Sequence, residues 1–193
     1  MTGEGTCGTI EAHLGGTRHV VVMGVCGCGK TTVARRISAL TGFAFAEADE
    51  FHSEANVSKM RAGVPLSDDD RWPWLRSLAD WMAERAAAGE STVVACSALR
   101  RGYREVLSQG PPSVAFVHLD GALDTIRQRL SRRTGHYMPA SLLDSQVATL
   151  ERLQPDEPGI VLDVALPPRD LADRAVRRLA LDRLDPGTAA ATG

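Results

Sequence analysis

The stretch His19-Val20-Val21-Val22-Met23-Gly24-Val25-Cys26-Gly27-Cys28-Gly29-Lys30-Thr31-Thr32 decides how the chain is read. A short apolar run leads through Gly24-x-x-x-x-Gly29-Lys30-Thr31 into a segment of helical character. Strand, glycine-rich loop and helix in that order make a phosphate-binding loop. Small residues let backbone N–H groups converge on phosphate oxygens, and the following helix directs its positive end at the same point. The expected phosphate binders are Gly24, Val25, Cys26, Gly27, Cys28, Gly29, Lys30, Thr31 and Thr32. Lys30 adds a compact cation for the β- and γ-phosphates, and the Thr31 hydroxyl is the expected protein ligand of Mg²⁺. A glycine turn that only packs a strand on a helix has no use for the Lys-Thr pair. The stretch therefore points to a nucleoside triphosphate.

Composition narrows the class around that loop. The chain has 193 residues, 44% apolar and 24% charged, enough for one domain with a substantial core. A net charge of −2 gives no ground for general nucleic-acid binding. No apolar run approaches membrane-spanning length, and residues 1–18 lack the basic start and apolar middle of a secretory signal. Cys7, Cys26, Cys28 and Cys96 show neither disulfide-framework nor zinc spacing, so a reducing cytoplasm is expected.

Outward from the loop, residues 1–18 read as a flexible leader, 19–184 as one α/β domain and 185–193 as a flexible tail. Strands are expected at 19–24, 43–46, 92–96, 114–119 and 160–164, each buried run being followed by helical periodicity. Helices are expected over 30–40, 54–62, from Asp69 or Asp70 to 88, and over 98–107, 123–132, 141–153 and 169–184. Pro73 limits the start of the long helix, because proline fits only a first turn. Leu75, Leu78, Ala79, Met82 and Ala86 form its buried stripe. Alternating strands and helices predict a central parallel sheet of about five strands, with helices on both faces in three layers.

Glu47 and Asp49 end the second expected strand, where open α/β sheets place ligands. Two residues apart on a strand they share a face. One carboxylate could help hold Mg²⁺ while the other receives a substrate hydroxyl; acidic residues solvating a strand end are the plain alternative. The segment from His52 through Asn56, Lys59, Asp68 and Asp70 to Arg71 mixes cations, amides and carboxylates, which suits a small anionic polyol. Arg71 can clamp a carboxylate through paired hydrogen bonds, with Lys59 or His52 adding a donor. Solvated helix charges account for the same residues one at a time.

The motifs Asp49-x-x-His52, Asn56-x-x-Lys59-Met60 and Gly63-x-Pro65-Leu66-x-Asp68-x-Asp70-Arg71-x-Pro73-Trp74-Leu75 resemble the gluconate kinase family of small P-loop kinases. Cys96-Ser97-Ala98-Leu99, Tyr103-Arg104, Arg129-Leu130-x-x-Arg133-x-Gly135-His136, Ser145-Gln146 and Thr149-Leu150-Glu151 extend the likeness, which runs from about Val20 to Leu153. The resemblance implies a P-loop kinase fold with a helical lid over about 124–153, and ATP-dependent phosphorylation of D-gluconate at its 6-hydroxyl. It implies that Asp49 orients or deprotonates that hydroxyl, that His52, Lys59, Arg71, Ser97 and His136 line the acceptor pocket, and that Arg129 and Arg133 serve the transferring phosphoryl or the adenine. A homodimer is implied as well. For Arg127, Arg129, Arg132 and Arg133 a solvated helix face is the competing expectation for at least one or two.

Three features depart from the family pattern: Cys26 and Cys28 stand where Ser is usual, Glu47 where Asp is usual, and the segment before Pro155-Asp156-Glu157 is longer. Beside Lys30 and a helix N-terminus, the two thiols are either reactive or simply small substitutes for serine. Two rival functions stay open. One is a kinase of the same fold with another acceptor, such as shikimate; the other is a nucleotide switch that modifies no metabolite. The guanine-reading Asn-Lys-x-Asp motif is absent from the sequence.

Overall fold

The structure is a computed structural model and describes residues 16–131 and 140–181. Five strands, β1 (His19–Met23), β2 (Ala44–Glu47), β3 (Thr92–Ala95), β4 (Val114–Asp120) and β5 (Gly159–Asp163), form one sheet in the order β2-β3-β1-β4-β5. Every pairing is parallel, with Val21 opposite Val94 on one side and Phe116 on the other. The helices are α1 (Lys30–Thr41), α2 (Glu54–Arg61), α3 (Asp68–Ala87), α4 (Arg101–Leu107), α5 (Leu123–Ser131), α6 (Ala140–Thr149) and α7 (Pro168–Arg178).

Strand β1 is buried along its whole length because both faces of the sheet are covered. Alternation splits its side chains between two cores. Val20 and Val22 pack with Val33 and Ile37 of α1 and Leu171 and Ala175 of α7. Val21 and Met23 pack with Trp74, Leu75, Leu78 and Met82 of α3 and Tyr103 and Leu107 of α4. At the sheet edge β5 buries Ile160 and Leu162 and leaves Val161 exposed. The expected three-layer α/β architecture is present.

Several element boundaries move for physical reasons. Helix α3 starts at Asp68, capped by Ser67, with Asp70 closing a capping box, so Pro73 falls in its second turn rather than its first. The two reciprocal cap bonds fix the start upstream of the expected Asp69 or Asp70. The α3 stripe gains Trp74, and Ala86 is only half-buried. Helix α4 begins three residues later than expected, because Ala98 adopts φ +43° in an irregular turn after β3. Helix α6 stops at Thr149, and Glu151 N–H then bonds Leu99 O at 2.8 Å. The end of the expected leader is tied down: Arg18 N–H bonds Ser91 Oγ and its guanidinium bonds Leu179 O. Residues 1–15 of the expected leader and the expected tail lie outside the described residues.

Candidate active site

The loop after β1 takes its shape from glycines that no other residue could replace. Gly24 has φ +136°, and a Cβ there would sit 2.7 Å from Leu119 O and 2.9 Å from Cys28 Sγ. Gly27 has φ +80°, and its Cβ would meet Leu130 Cγ at 2.4 Å. The N–H of Gly24 bonds Ser97 O at 3.2 Å, tying the loop to the end of β3. Val25, Cys26 and Cys28 turn inward and belong to the α1–α7 core, Cys28 being fully buried. This favours the small substitutes for serine over exposed reactive thiols.

Lys30, in the first turn of α1, folds its Nζ back to Val25 O at 3.1 Å. Thr31 hydrogen-bonds the Glu47 carboxylate, and Thr32 is exposed in the same turn. Burial raises the Glu47 carboxyl above its ordinary pKa; the Thr31 bond opposes this, and the neighbouring Asp49 charge adds to it. Glu47 closes β2, while Asp49 lies in the 3₁₀ turn Ala48–Phe51, so strand alternation does not bring the two together. The turn does so instead, anchored by Trp74 Nε1–H donating to Ala48 O at 2.7 Å.

The acceptor side follows directly. His52 stacks on Trp74, with centroids 4.3 Å apart and planes 16° from parallel. Burial lowers the His52 pKa, with Asp49 opposing and Arg71 assisting, so the ring lies within electrostatic reach of both. Its Nδ1 is buried without a hydrogen-bond partner among the described residues. Arg71 Nη1 bonds Asp68 at 3.1 Å and the Tyr103 hydroxyl at 3.2 Å. Lys59 pairs with Asp70 at 2.6 Å rather than reaching toward Arg71, and buried Asn56 donates to Asp70 O. Ser97 is half-buried, and its carbonyl is taken by Gly24.

Of the basic helix, Arg129 reaches the back of the phosphate loop, with Nη1 3.5 Å from Cys28 O and Nη2 on Val164 O. Arg127 instead bridges Asp124 and Asp144 in the open, which is the solvated-face expectation. Arg132, Arg133 and His136 lie outside the described residues.

Three contributions escape the sequence reading. Gln146 of α6 accepts the Cys26 N–H at 2.6 Å, so a side chain occupies one of the loop donors. Arg100 binds Asp68 at 2.5 Å beside Arg71. Arg104 is fully buried, forks onto Glu157 and donates to Ala98 O and Glu151 O. It thereby fastens the unusual Pro155–Glu157 segment under the turn after β3. The Ser145-Gln146 pair and Tyr103-Arg104 were visible as motifs, but nothing in their spacing told which partner each would meet.

A parallel sheet with this loop after β1, a lysine and threonine opening α1, and carboxylates at the end of β2 defines a nucleotide-dependent phosphotransferase of the P-loop kinase type. A family model described as an AAA domain matches residues 20–153. The gluconokinase of Gluconobacter oxydans is 51% identical over 143 residues, covering 74% of this chain and 80% of that one. A sugar kinase crystal structure from Janibacter superposes with a TM-score of 0.81 at 61% identity, covering 86% of this chain and 95% of that one. A gluconokinase structure from Sinorhizobium meliloti gives 0.75 at 42% identity, with 86% and 92% covered. This chain belongs to the gluconokinase family.

Proposed function

We propose that the protein transfers the γ-phosphoryl group of ATP to the 6-hydroxyl of D-gluconate, yielding 6-phospho-D-gluconate and ADP. The observation that carries this reading is the run of groups from Lys30 and Thr31, past Glu47 and Asp49, to His52 and Arg71. Donors for a triphosphate stand at one end and a cation for a carboxylate at the other, with a carboxylate between them.

In this reading the N–H groups of Val25–Thr32 and the Lys30 ammonium cradle the phosphates, while Gly24, its N–H on Ser97 O, gives the loop its conformation. Asp49 accepts the hydroxyl proton as the oxygen attacks phosphorus. His52 and Arg71 hold the sugar acid, Lys59 steadies the pocket through Asp70, and Ser97 contributes main chain at the floor. Arg129, against the loop, offsets charge on the transferring group, with Arg133 and His136 assigned to the covering segment. Among the described residues no set of three or more side chains could hold a metal alone. Mg²⁺ keeps water and phosphate oxygens among its ligands; Thr31, with Glu47 behind it, would hold it, and the ion would neutralise charge on the phosphates. The protein is further read as a cytoplasmic homodimer acting on a small molecule, with neither nucleic acid nor membrane as a partner. Among the described residues no helix is long and apolar enough to cross a membrane.

The test is ADP release with ATP and magnesium against gluconate, shikimate, other sugar acids and nucleoside monophosphates. Turnover with gluconate well above every other acceptor is expected. A different acceptor outrunning gluconate would reassign the pocket, and no acceptor-dependent turnover at all would favour the nucleotide switch.

A further inference from the structure

Asp68, the first residue of α3, receives three partners at once. The Tyr103 hydroxyl donates to Oδ1 at 2.6 Å, Arg71 Nη1 donates to the same oxygen at 3.1 Å, and Arg100 Nη1 donates to Oδ2 at 2.5 Å. Both guanidiniums flank the Tyr103 ring, their carbons 5.9 and 5.8 Å from its centroid. Arg71 rides on α3 and Arg100 caps the N-terminus of α4, so two separate elements deliver two cations to one carboxylate.

A staple between α3 and α4 would account for one of these arginines but not for both. One carboxylate between two guanidiniums leaves the cluster with a net positive charge. The donors tell the same story. A guanidinium has five N–H donors, and among the described residues each arginine spends only Nη1 on hydrogen bonds. The Nε–Nη2 edge, which pairs side-on with a carboxylate, stays available on both. The side chains of Arg71 and Arg100 are 30% and 42% exposed, so a small ligand can reach them. His52 lies within electrostatic reach of both Asp49 and Arg71, which puts this cluster next to the residues that join it to the phosphate end. An extended six-carbon sugar acid carries its carboxylate at the end opposite the 6-hydroxyl.

We propose that Arg100 is a second carboxylate-binding residue beside Arg71, and that Asp68 is the positioning residue that sets the two guanidiniums as a pair. The inference rests on the gluconate reading. Its test is steady-state kinetics of the full chain and of Arg100→Ala, Arg100→Lys, Asp68→Asn and Asp68→Glu, with a thermal melt of each. Arg100→Ala raises the KM for gluconate about tenfold while kcat and the KM for ATP stay within about twofold. Arg100→Lys, which keeps the cation and loses the fork, also raises it and covers the case in which the truncation disturbs α4. Asp68→Asn shifts the same parameter, and Asp68→Glu retains more of the affinity than Asp68→Asn.

A purely structural staple predicts otherwise: lower melting temperatures and lower kcat, with no selective rise in the KM for gluconate. That result, or an unchanged KM in Arg100→Ala and Arg100→Lys, overturns the proposal while leaving the gluconate reading intact. A wild-type enzyme that ignores gluconate overturns both.

Discussion

At the proposed phosphate end, one unbroken run from Gly24 to Thr31 holds the assigned binding groups, most of them main-chain N–H donors shaped by glycine conformations. At the acceptor end, the groups are side chains drawn from the turn after β2, from α2 and α3, and from the start of α4, held by ion pairs with Asp68 and Asp70. At the first end Cys26 and Cys28 are buried and the shape is set by glycine backbone. At the second, charged side chains set it through their ion pairs. A phosphate looks the same in every nucleotide, whereas the acceptor defines the enzyme; main chain suits the constant partner and side chains the variable one.

The largest effect is expected where the two ends meet. Asp49→Asn should lower kcat by about 10³-fold, the middle of the range for a lost general base, with ADP affinity unchanged. Comparable turnover in the mutant would remove Asp49 from the reaction. Next, Gly27→Ala should weaken ADP binding at least about tenfold, because it strains a left-handed residue and drives Leu130 away from the loop. If calorimetry finds ADP binding intact, the contrast between a backbone-built end and a side-chain-built end fails.

A smaller effect tests whether the site or the sheet frame sets pH-dependent stability. His19 and His118 are buried on β1 and β4, and burial lowers both pKa values, that of His19 to about 4. Each is neutral when folded and protonates more readily when unfolded, so the unfolded chain binds more protons below about pH 6.5. Their stabilisation is complete above that pH and is lost as pH falls through the lowered folded-state values, about 4 for His19. His19 is hydrogen-bonded to Thr92 and Thr17, but both ring nitrogens of His118 lack partners among the described residues. His118→Leu should therefore flatten the fall in urea midpoint between about pH 7 and about pH 5, and cost little at neutral pH. A slope unchanged by the mutation would assign the pH dependence to other groups.

How far the sequence led depended on how local each feature is. Apolar runs placed all five strands within a few residues, since strands in a covered sheet are mostly apolar even where they bury His19, Thr92 or His118. The phosphate loop was legible because its chemistry lies in consecutive residues. Asp49 and Arg71 were legible as types but not as neighbours, because it takes Trp74 under the 3₁₀ turn to set one against the other through His52. Arg100 beside Arg101 looks like ordinary helix charge. Only the packing of α4 on α3 turns the first toward Asp68, while the second pairs with Glu105 one turn along α4 and with Asp156. Helix α3 starts upstream of the expected Asp69 or Asp70 because two reciprocal cap bonds between Ser67 and Asp70 outweigh a proline in the second turn.

Gln146 gives the phosphate loop a resting occupant. Its amide oxygen accepts the Cys26 N–H, so in the proposed reading a phosphate using that donor would exchange one acceptor for another. The gain from such a contact would be the difference between a neutral and a charge-assisted hydrogen bond, which rewards anions and gives little to a neutral oxygen. The same hydrogen bond ties the loop to a helix that follows it by more than a hundred residues in the chain.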